Sequence, residues 1–226
     1  MPDGSAQRRF PRYTIVLPVL YDVYDVDSSE PTRSGVGWTC NLSEGGACLE
    51  LNERLDLSTS LTVVLRTYEG EIELKAEVVW TAEGGATEGG IFHGVAFTHI
   101  PPDQHRALRE LIRTKGQVRN AGVRIPVELT VLCRRKGDAG APIQGRTGDI
   151  SRAGLLLRLP QALPAGTELE VTLQTSQGPL TAEGTIIWVV PSEAQTPGEL
   201  IRHGFRFTNM GWFSELALGH LLAGKL

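Results

Sequence analysis

The chain has 226 residues, of which 41% are hydrophobic and 21% charged. These proportions are typical of a folded globular protein and exclude a disordered or collagen-like chain. The mean hydropathy is −0.10, and no apolar run approaches the roughly 18 residues of a membrane-spanning helix. The net charge of −4 argues against general nucleic-acid binding.

Short β-strands dominate the predicted elements of the first half. Six segments are rich in β-branched and aromatic residues or alternate between apolar and polar residues: 13–24, 38–40, 47–51, 60–68, 71–80 and 91–98. A helix is predicted from Pro101 to Arg113, because a proline pair precedes apolar residues at helical spacing. Six short strands with one solvent-exposed face favour a closed or nearly closed antiparallel barrel, so the predicted fold class is mainly β.

The second half repeats the first. Residues 41–46 (NLSEGG) recur as 149–154 (DISRAG), and 78–80 (VVW) recur as 186–188 (IIW), both at an offset of 108. Residues 93–98 (HGVAFT) recur as 203–208 (HGFRFT), and a second helix is predicted over 212–222. The chain is therefore predicted to hold two copies of one domain, 1–114 and 115–226. A short linker at 114–118 indicates that the copies touch.

The two copies differ in charge. Residues 1–114 carry 10 Lys and Arg against 17 Asp and Glu, a net charge of −7, whereas residues 115–226 carry 12 against 9, a net charge of +3. The N-terminus has no apolar stretch behind its arginines, unlike a secretory signal, so we expect a cytoplasmic protein.

No catalytic or metal-binding motif is present in the sequence. Cys40, Cys48 and Cys133 show neither CxxC spacing nor a histidine at ligand spacing, so we interpret them as small residues on strands. His93 and His203 occupy equivalent repeat positions, which indicates a structural role. We predict that the protein is not an enzyme and needs no cofactor.

Two short motifs of the first copy lie in order before and after its first two strands. Arg8 and Arg12 are four residues apart just before the strand, and Asn41, Ser43 and Gly46 form an NxSxxG turn after the second strand. Together with the flanking strands and the terminal helix, these motifs resemble the PilZ domain family of bacterial receptors for cyclic di-GMP (c-di-GMP). The resemblance covers nearly the whole chain, as a tandem of two six-stranded barrels, each followed by a helix.

The resemblance implies that Arg8 and Arg12 grip the ligand, that Arg9 assists, and that Asn41, Ser43 and Gly46 line the opposite wall. The ligand independently favours arginine, because a guanidinium can pair bidentately with phosphate or with guanine O6 and N7 and can stack on a purine. Short polar side chains suit guanine edges, and a glycine permits positive φ or close approach.

The second copy has an incomplete arginine motif and a complete turn. Arg119 and Arg124 are five residues apart, and alignment places Asn120 at the first motif arginine. The turn residues are Asp149, Ser151 and Gly154. These five residues, Arg119, Arg124, Asp149, Ser151 and Gly154, form a second, weaker candidate site.

The sequence therefore predicts a cytoplasmic c-di-GMP receptor whose ligand changes the interactions of its domains or of a downstream protein partner. The alternative is a ligand-independent docking adaptor for motility, pilus or envelope machinery. Nucleic-acid binding through basic residues of the second half is the least favoured interpretation; these residues are Arg134, Arg135, Lys136, Arg146, Arg152 and Arg158.

Overall fold

The computed structural model describes residues 10–25, 29–84, 89–116, 121–138, 140–191 and 198–224. Within these ranges the first half folds as β1 (Ile15–Val16), β2 (Pro18–Tyr24), β3 (Arg33–Ser43), β4 (Gly46–Leu51), β5 (Ser60–Arg66), β6 (Glu71–Glu83), β7 (Ile91–His99) and α1 (Pro102–Lys115). The second half follows as β8 (Ala121–Gly122), β9 (Thr130–Arg135), β10 (Ile143–Ser151), β11 (Gly154–Leu159), β12 (Glu168–Thr175), β13 (Gly178–Val189), β14 (Ile201–Asn209) and α2 (Trp212–Leu222).

The strands form two closed antiparallel barrels. The first has the order β2-β3-β4-β7-β6-β5, and the second has the equivalent order β9-β10-β11-β14-β13-β12. Closure pairs every strand on both sides, so neither barrel has an exposed edge. The predicted fold of two six-stranded barrels, each followed by a helix, is confirmed.

The first predicted strand is divided into two elements at Leu17. The Leu17 amide donates to Thr39 Oγ1 (2.8 Å), and the Leu17 carbonyl accepts from the Thr39 amide (2.9 Å). Upstream of this point, β1 pairs in parallel with β8 of the second copy. The segment that precedes each barrel therefore lies beside its counterpart from the other copy.

Each barrel repeats a tryptophan packed on a glycine of the neighbouring strand. The indole of Trp80 covers Gly94, and that of Trp188 covers Gly204, so closely that a Cβ on either glycine would overlap the ring. The strand pairs place these residues opposite each other. This contact explains why the tryptophan and the glycine recur together in the sequence.

The two helices are packed differently. Helix α1 is amphipathic and buries Leu108, Leu111 and Ile112 in the core of the first barrel. Helix α2 is more apolar than α1 and carries buried residues on more than one side. It packs against β13 of its own barrel and against β2 and β3 of the first barrel. Its buried leucines share one apolar cluster with Leu20, Val36 and Trp38 of the first barrel. In the described part of the chain, no helix has the length and apolar character needed to cross a membrane.

Candidate functional site

The NxSxxG turn joins β3 to β4, and its serine and glycine shape the turn. The Ser43 hydroxyl donates to the Gly46 carbonyl (3.0 Å), and in the second copy Ser151 donates to Gly154 (3.1 Å). A Cβ on Gly46 would overlap the Val95 carbonyl oxygen of β7, because the strands approach closely there. These residues therefore set the geometry of the turn and its register with the neighbouring strand.

Asn41 lies on the outer face of β3, where a β-bulge interrupts the pairing with β4. The bulge falls between Thr39 and Asn41, and Asn41 lies opposite Cys48. The Asn41 Oδ1 atom is buried and accepts no hydrogen bond within the described residues. Because a buried polar atom without a partner costs free energy, this oxygen is available to a donor that binds from outside.

Arg12 is exposed and lies beside this face. The next residue, Tyr13, forms an antiparallel bridge with Leu42, with both backbone hydrogen bonds at 2.9 Å. Leu42 points into the core, and side chains alternate along extended chains. Arg12 therefore points outward, as Asn41 does.

Two further observations locate the Arg12 segment. The pKa of the Cys48 thiol is lowered, first by its hydrogen bond with Cys40 and also by the positive charge of Arg12. The ring of Phe10 packs so closely on the turn that a Cβ on Gly45 would lie 2.6 Å from it. The segment thus runs along the turn, with the Arg12 charge near the Asn41–Cys48 pair.

The second copy contains the same arrangement, but its arginine forms an ion pair with the first residue of the turn. Ile125 bridges Ile150 as Tyr13 bridges Leu42, so Arg124 is the structural equivalent of Arg12. Arg124 Nη1 lies 2.6 Å from Asp149 Oδ1. The Asp149 carboxylate is therefore already paired with an arginine, whereas Asn41 at the equivalent position in the first copy has no charge with which to hold Arg12.

The remaining predicted arginines, Arg8, Arg9 and Arg119, lie outside the described residues. Of the first candidate site, the structure brings together Arg12, Asn41, Ser43 and Gly46. Of the second, it brings together Arg124, Asp149, Ser151 and Gly154.

The fourth position of each turn forms an ion pair that sequence reasoning missed. In the first copy, Glu44 lies near His105 (3.4 Å) and Arg109 (3.5 Å) of α1. In the second copy the charges are reversed, and Arg152 binds Glu215 of α2 at 2.6 Å. The repeat offsets could have revealed this exchange, since Glu44 aligns with Arg152 and His105 with Glu215.

Arg152 also reaches across to the first barrel. Its Nη1 lies 2.7 Å from Glu50 Oε2, and the side chain of Glu50 is completely buried. The guanidinium lies 5.4 Å from the ring centre of Trp38, whose indole N–H donates to the Glu215 carbonyl (3.3 Å). This interdomain cluster of Glu50, Arg152 and Glu215 lies close to the candidate site, because Glu50 is two residues beyond Cys48 on the same outward face of β4.

His93 and His203 have structural roles, as predicted. Each is buried, with Nδ1 2.9–3.0 Å from the carbonyl two residues before it. Each Nε2 accepts an amide N–H at 3.0 Å, from Leu55 in the first copy and Leu163 in the second. Burial lowers the pKa of both imidazoles. Within the described residues, no three His, Cys, Asp or Glu side chains form a group able to hold a metal ion.

Comparison with known proteins identifies the family. The model of the PilZ domain matches twice, over residues 6–114 and 117–223. No curated protein sequence matches the chain. Among solved structures, the Bacillus subtilis inhibitor of motility MotI/DgrA is 11% identical with a TM-score of 0.40, and the alignment covers 92% of this chain and 95% of that protein.

Two solved complexes with c-di-GMP are also similar. PlzA of Borreliella burgdorferi is 12% identical with a TM-score of 0.38, covering 90% of this chain and 86% of PlzA. YcgR of Escherichia coli is 14% identical with a TM-score of 0.38, covering 92% of this chain and 83% of YcgR. With two matches to the family model that together span nearly its whole length, the chain belongs to the PilZ domain family.

Proposed function

We propose that the chain is a c-di-GMP receptor and that its first domain binds the nucleotide between the Arg12 segment and Asn41. The observation that carries this proposal is the buried Asn41 Oδ1, which has no hydrogen-bond partner among the residues that the structure describes, beside an outward-facing arginine. The guanine bases of c-di-GMP offer N–H donors on their Watson–Crick edges, and the two phosphates of the ligand are anionic. The site therefore presents an acceptor for the base and a cation for the phosphate or for guanine O6 and N7. Membership of the PilZ family supports this ligand.

The first domain is the better candidate site because the two copies differ in how the equivalent arginine is paired. In the second copy, a ligand that uses Asp149 must first separate the carboxylate from Arg124. In the first copy, Arg12 has no acidic partner within the described residues. We propose that Ser43 and Gly46 shape the turn that presents Asn41. We also propose that both residues contact the ligand.

The proposed site lies on the same strand as one residue of the interdomain cluster. Cys48 and Glu50 occupy consecutive outward positions of β4, about 7 Å apart along the strand. Glu50 is held by Arg152 of the second domain. A doubly negative ligand beside this strand interacts with the charged interdomain cluster, and we propose that it thereby alters the contact of the two domains or the binding of a protein partner.

Calorimetric titration with c-di-GMP tests the proposal. We expect Arg12→Ala and Asn41→Ala each to weaken binding at this site by about 10- to 100-fold, since a good polar contact to guanine contributes roughly 1–3 kcal/mol. Arg54→Ala is the matched control, because Arg54 is exposed and pairs with Glu83 away from the motifs. Equal affinity of all three variants and the wild type, or binding by none of the proteins, contradicts the assignment; the second result favours a nucleotide-independent adaptor.

A further inference from the structure

A row of three arginines crosses the outer face of the second barrel. Arg146 of β10 lies directly opposite Arg158 of β11, and Arg158 lies directly opposite Arg202 of β14. Each is followed along its strand by a buried residue, Thr147, Leu159 or His203, and side chains alternate along a strand, so all three arginine side chains point outward. Neighbouring strands are about 4.8 Å apart, so the row spans roughly 10 Å. We call Arg146, Arg158 and Arg202 the arginine row.

The equivalent row of the first barrel is unlike it. Trp38, Glu50 and Phe92 occupy the same positions of β3, β4 and β7, and Trp38 and Glu50 are almost completely buried against the second domain. The arginine row is covered by no part of the described chain: the side chains of Arg146 and Arg158 are 60% and 40% exposed. One copy thus uses this row for the interdomain contact, and the other leaves it open to solvent.

The charges of the arginine row are incompletely neutralised. Glu128 lies 2.5 Å from Arg146 and 3.6 Å from Arg158, and Arg202 has no acidic partner within the described residues. Like charges directly opposite each other on adjacent strands destabilise a sheet. The row therefore costs stability in the absence of an anion, and an anion that binds between the guanidinium groups would remove this repulsion.

The row lies next to the motif that the second copy retains. Asp149 and Gly154 lie on the same two strands, β10 and β11, a few residues from Arg146 and Arg158. The second copy has Asn120 where the family motif has its first arginine. The arginine row supplies guanidinium groups on this same barrel, and planar guanidinium forks bind phosphate oxygens bidentately.

We propose that the arginine row is a second anion-binding site, which holds the phosphates of a cyclic dinucleotide on the outer face of the second barrel. The proposal rests on the proposed function in that the ligand is of the same class. The limited width of the row suits one small phosphate-bearing molecule. A long polyanion is less suited, because the neighbouring cation Arg134 lies opposite Glu170 and Arg152 is held in the interdomain cluster.

Calorimetric titration of the full chain with c-di-GMP separates the two sites. We expect two binding events in the wild type, loss of one in Arg12→Ala, and loss of the other in the double variant Arg158→Ala/Arg202→Ala, with at least a tenfold weaker affinity there. Arg134→Ala is the control on the same barrel and should keep both events. Because the substitutions remove facing like charges, the double variant should unfold at no lower denaturant concentration than the wild type.

The possible results distinguish the two proposals. A single event that only Arg12→Ala abolishes overturns the arginine row and leaves the proposed function standing. A single event that only the double variant abolishes supports the row and overturns the assignment to the first domain. Two events that both persist in the double variant overturn the row. Binding of duplex DNA that the double variant loses, without any change in nucleotide binding, overturns the cyclic dinucleotide as its occupant.

Discussion

At the scale of single residues, the two copies show how one substitution changes a site. Asp149 forms an ion pair with Arg124, whereas the equivalent Asn41 leaves its oxygen buried and without a partner in the described chain. The motif residues and their order could be predicted from the sequence. The ion pair of Arg124 could not be predicted, because it joins residues that are 25 positions apart and depends on how the barrel closes.

The two buried histidines make stability depend on pH. Burial lowers the pKa of His93 and His203 in the folded protein, so below about pH 6.5, the ordinary histidine pKa, the unfolded chain binds protons that the folded chain does not. Their contribution to stability is therefore complete above that pH and is lost as the pH falls below it. We expect the free energy of unfolding, measured in urea, to decrease between pH 7.5 and pH 5.5.

The variant His93→Gln/His203→Gln provides the comparison for this prediction. The pKa of Glu215 is raised by burial, and this group acts in the opposite sense, but it is common to both proteins. The decrease in stability on acidification should be smaller in the variant than in the wild type. An equal pH dependence in the two proteins would show that these imidazoles are not held neutral by the fold.

At the scale of elements, the sequence pattern predicted which face of a strand or helix is buried, but it did not predict which neighbouring element covers that face. The alternation in β6 and the amphipathic pattern of α1 identified which faces are buried. Helix α2 was predicted at its observed bounds, Trp212–Leu222, but its position was not. A helix with apolar residues on more than one side must be covered on more than one side. The second barrel covers one side of α2, and the first barrel covers another.

Helix α2 offers a matched pair of substitutions. Leu218 is completely buried between the barrels, whereas Phe213 is 87% exposed. We expect Leu218→Ala to lower the free energy of unfolding by about 2–5 kcal/mol, as for other buried leucines, and Phe213→Ala to change it by less than about 0.5 kcal/mol, as for exposed positions. Chemical denaturation measures both values. A similar effect of the two substitutions would contradict the placement of α2 between the barrels.

At the scale of the whole molecule, the two homologous domains use equivalent surfaces differently: the first domain contacts its neighbour through a face that the second domain exposes to solvent. The interdomain cluster joins one guanidinium to two buried carboxylates, and the motif turn of the second copy supplies that guanidinium. The tandem organisation and the touching of the domains could be predicted from the repeat and the short linker. The residues in contact could not, because the repeat aligns the copies without specifying how they face each other.

Arg152 should be important for the stability of the pair of domains. Its side chain is 15% exposed, and its removal takes the guanidinium away from the Glu50 and Glu215 carboxylates, which are 0% and 12% exposed. We expect Arg152→Ala to destabilise the protein by about 3–5 kcal/mol, as when other buried ion pairs lose one partner. Arg113→Ala removes an exposed pair with Glu110 and should leave the free energy of unfolding almost unchanged, because water screens exposed ion pairs. Equal denaturation midpoints for both variants would show that the cluster does not hold the domains together.

The most direct test of the receptor assignment is a nuclear magnetic resonance titration that follows the side-chain amide of Asn41 as c-di-GMP is added. Saturable shifts of the Asn41 amide and of the Arg12 guanidinium are expected. The amides of Asn52, which follows the end of β4 opposite the turn, and of Asn209, on β14 of the second barrel, should not shift. Nucleotide binding that leaves the Asn41 and Arg12 signals where they were, or no binding at all, would contradict the account.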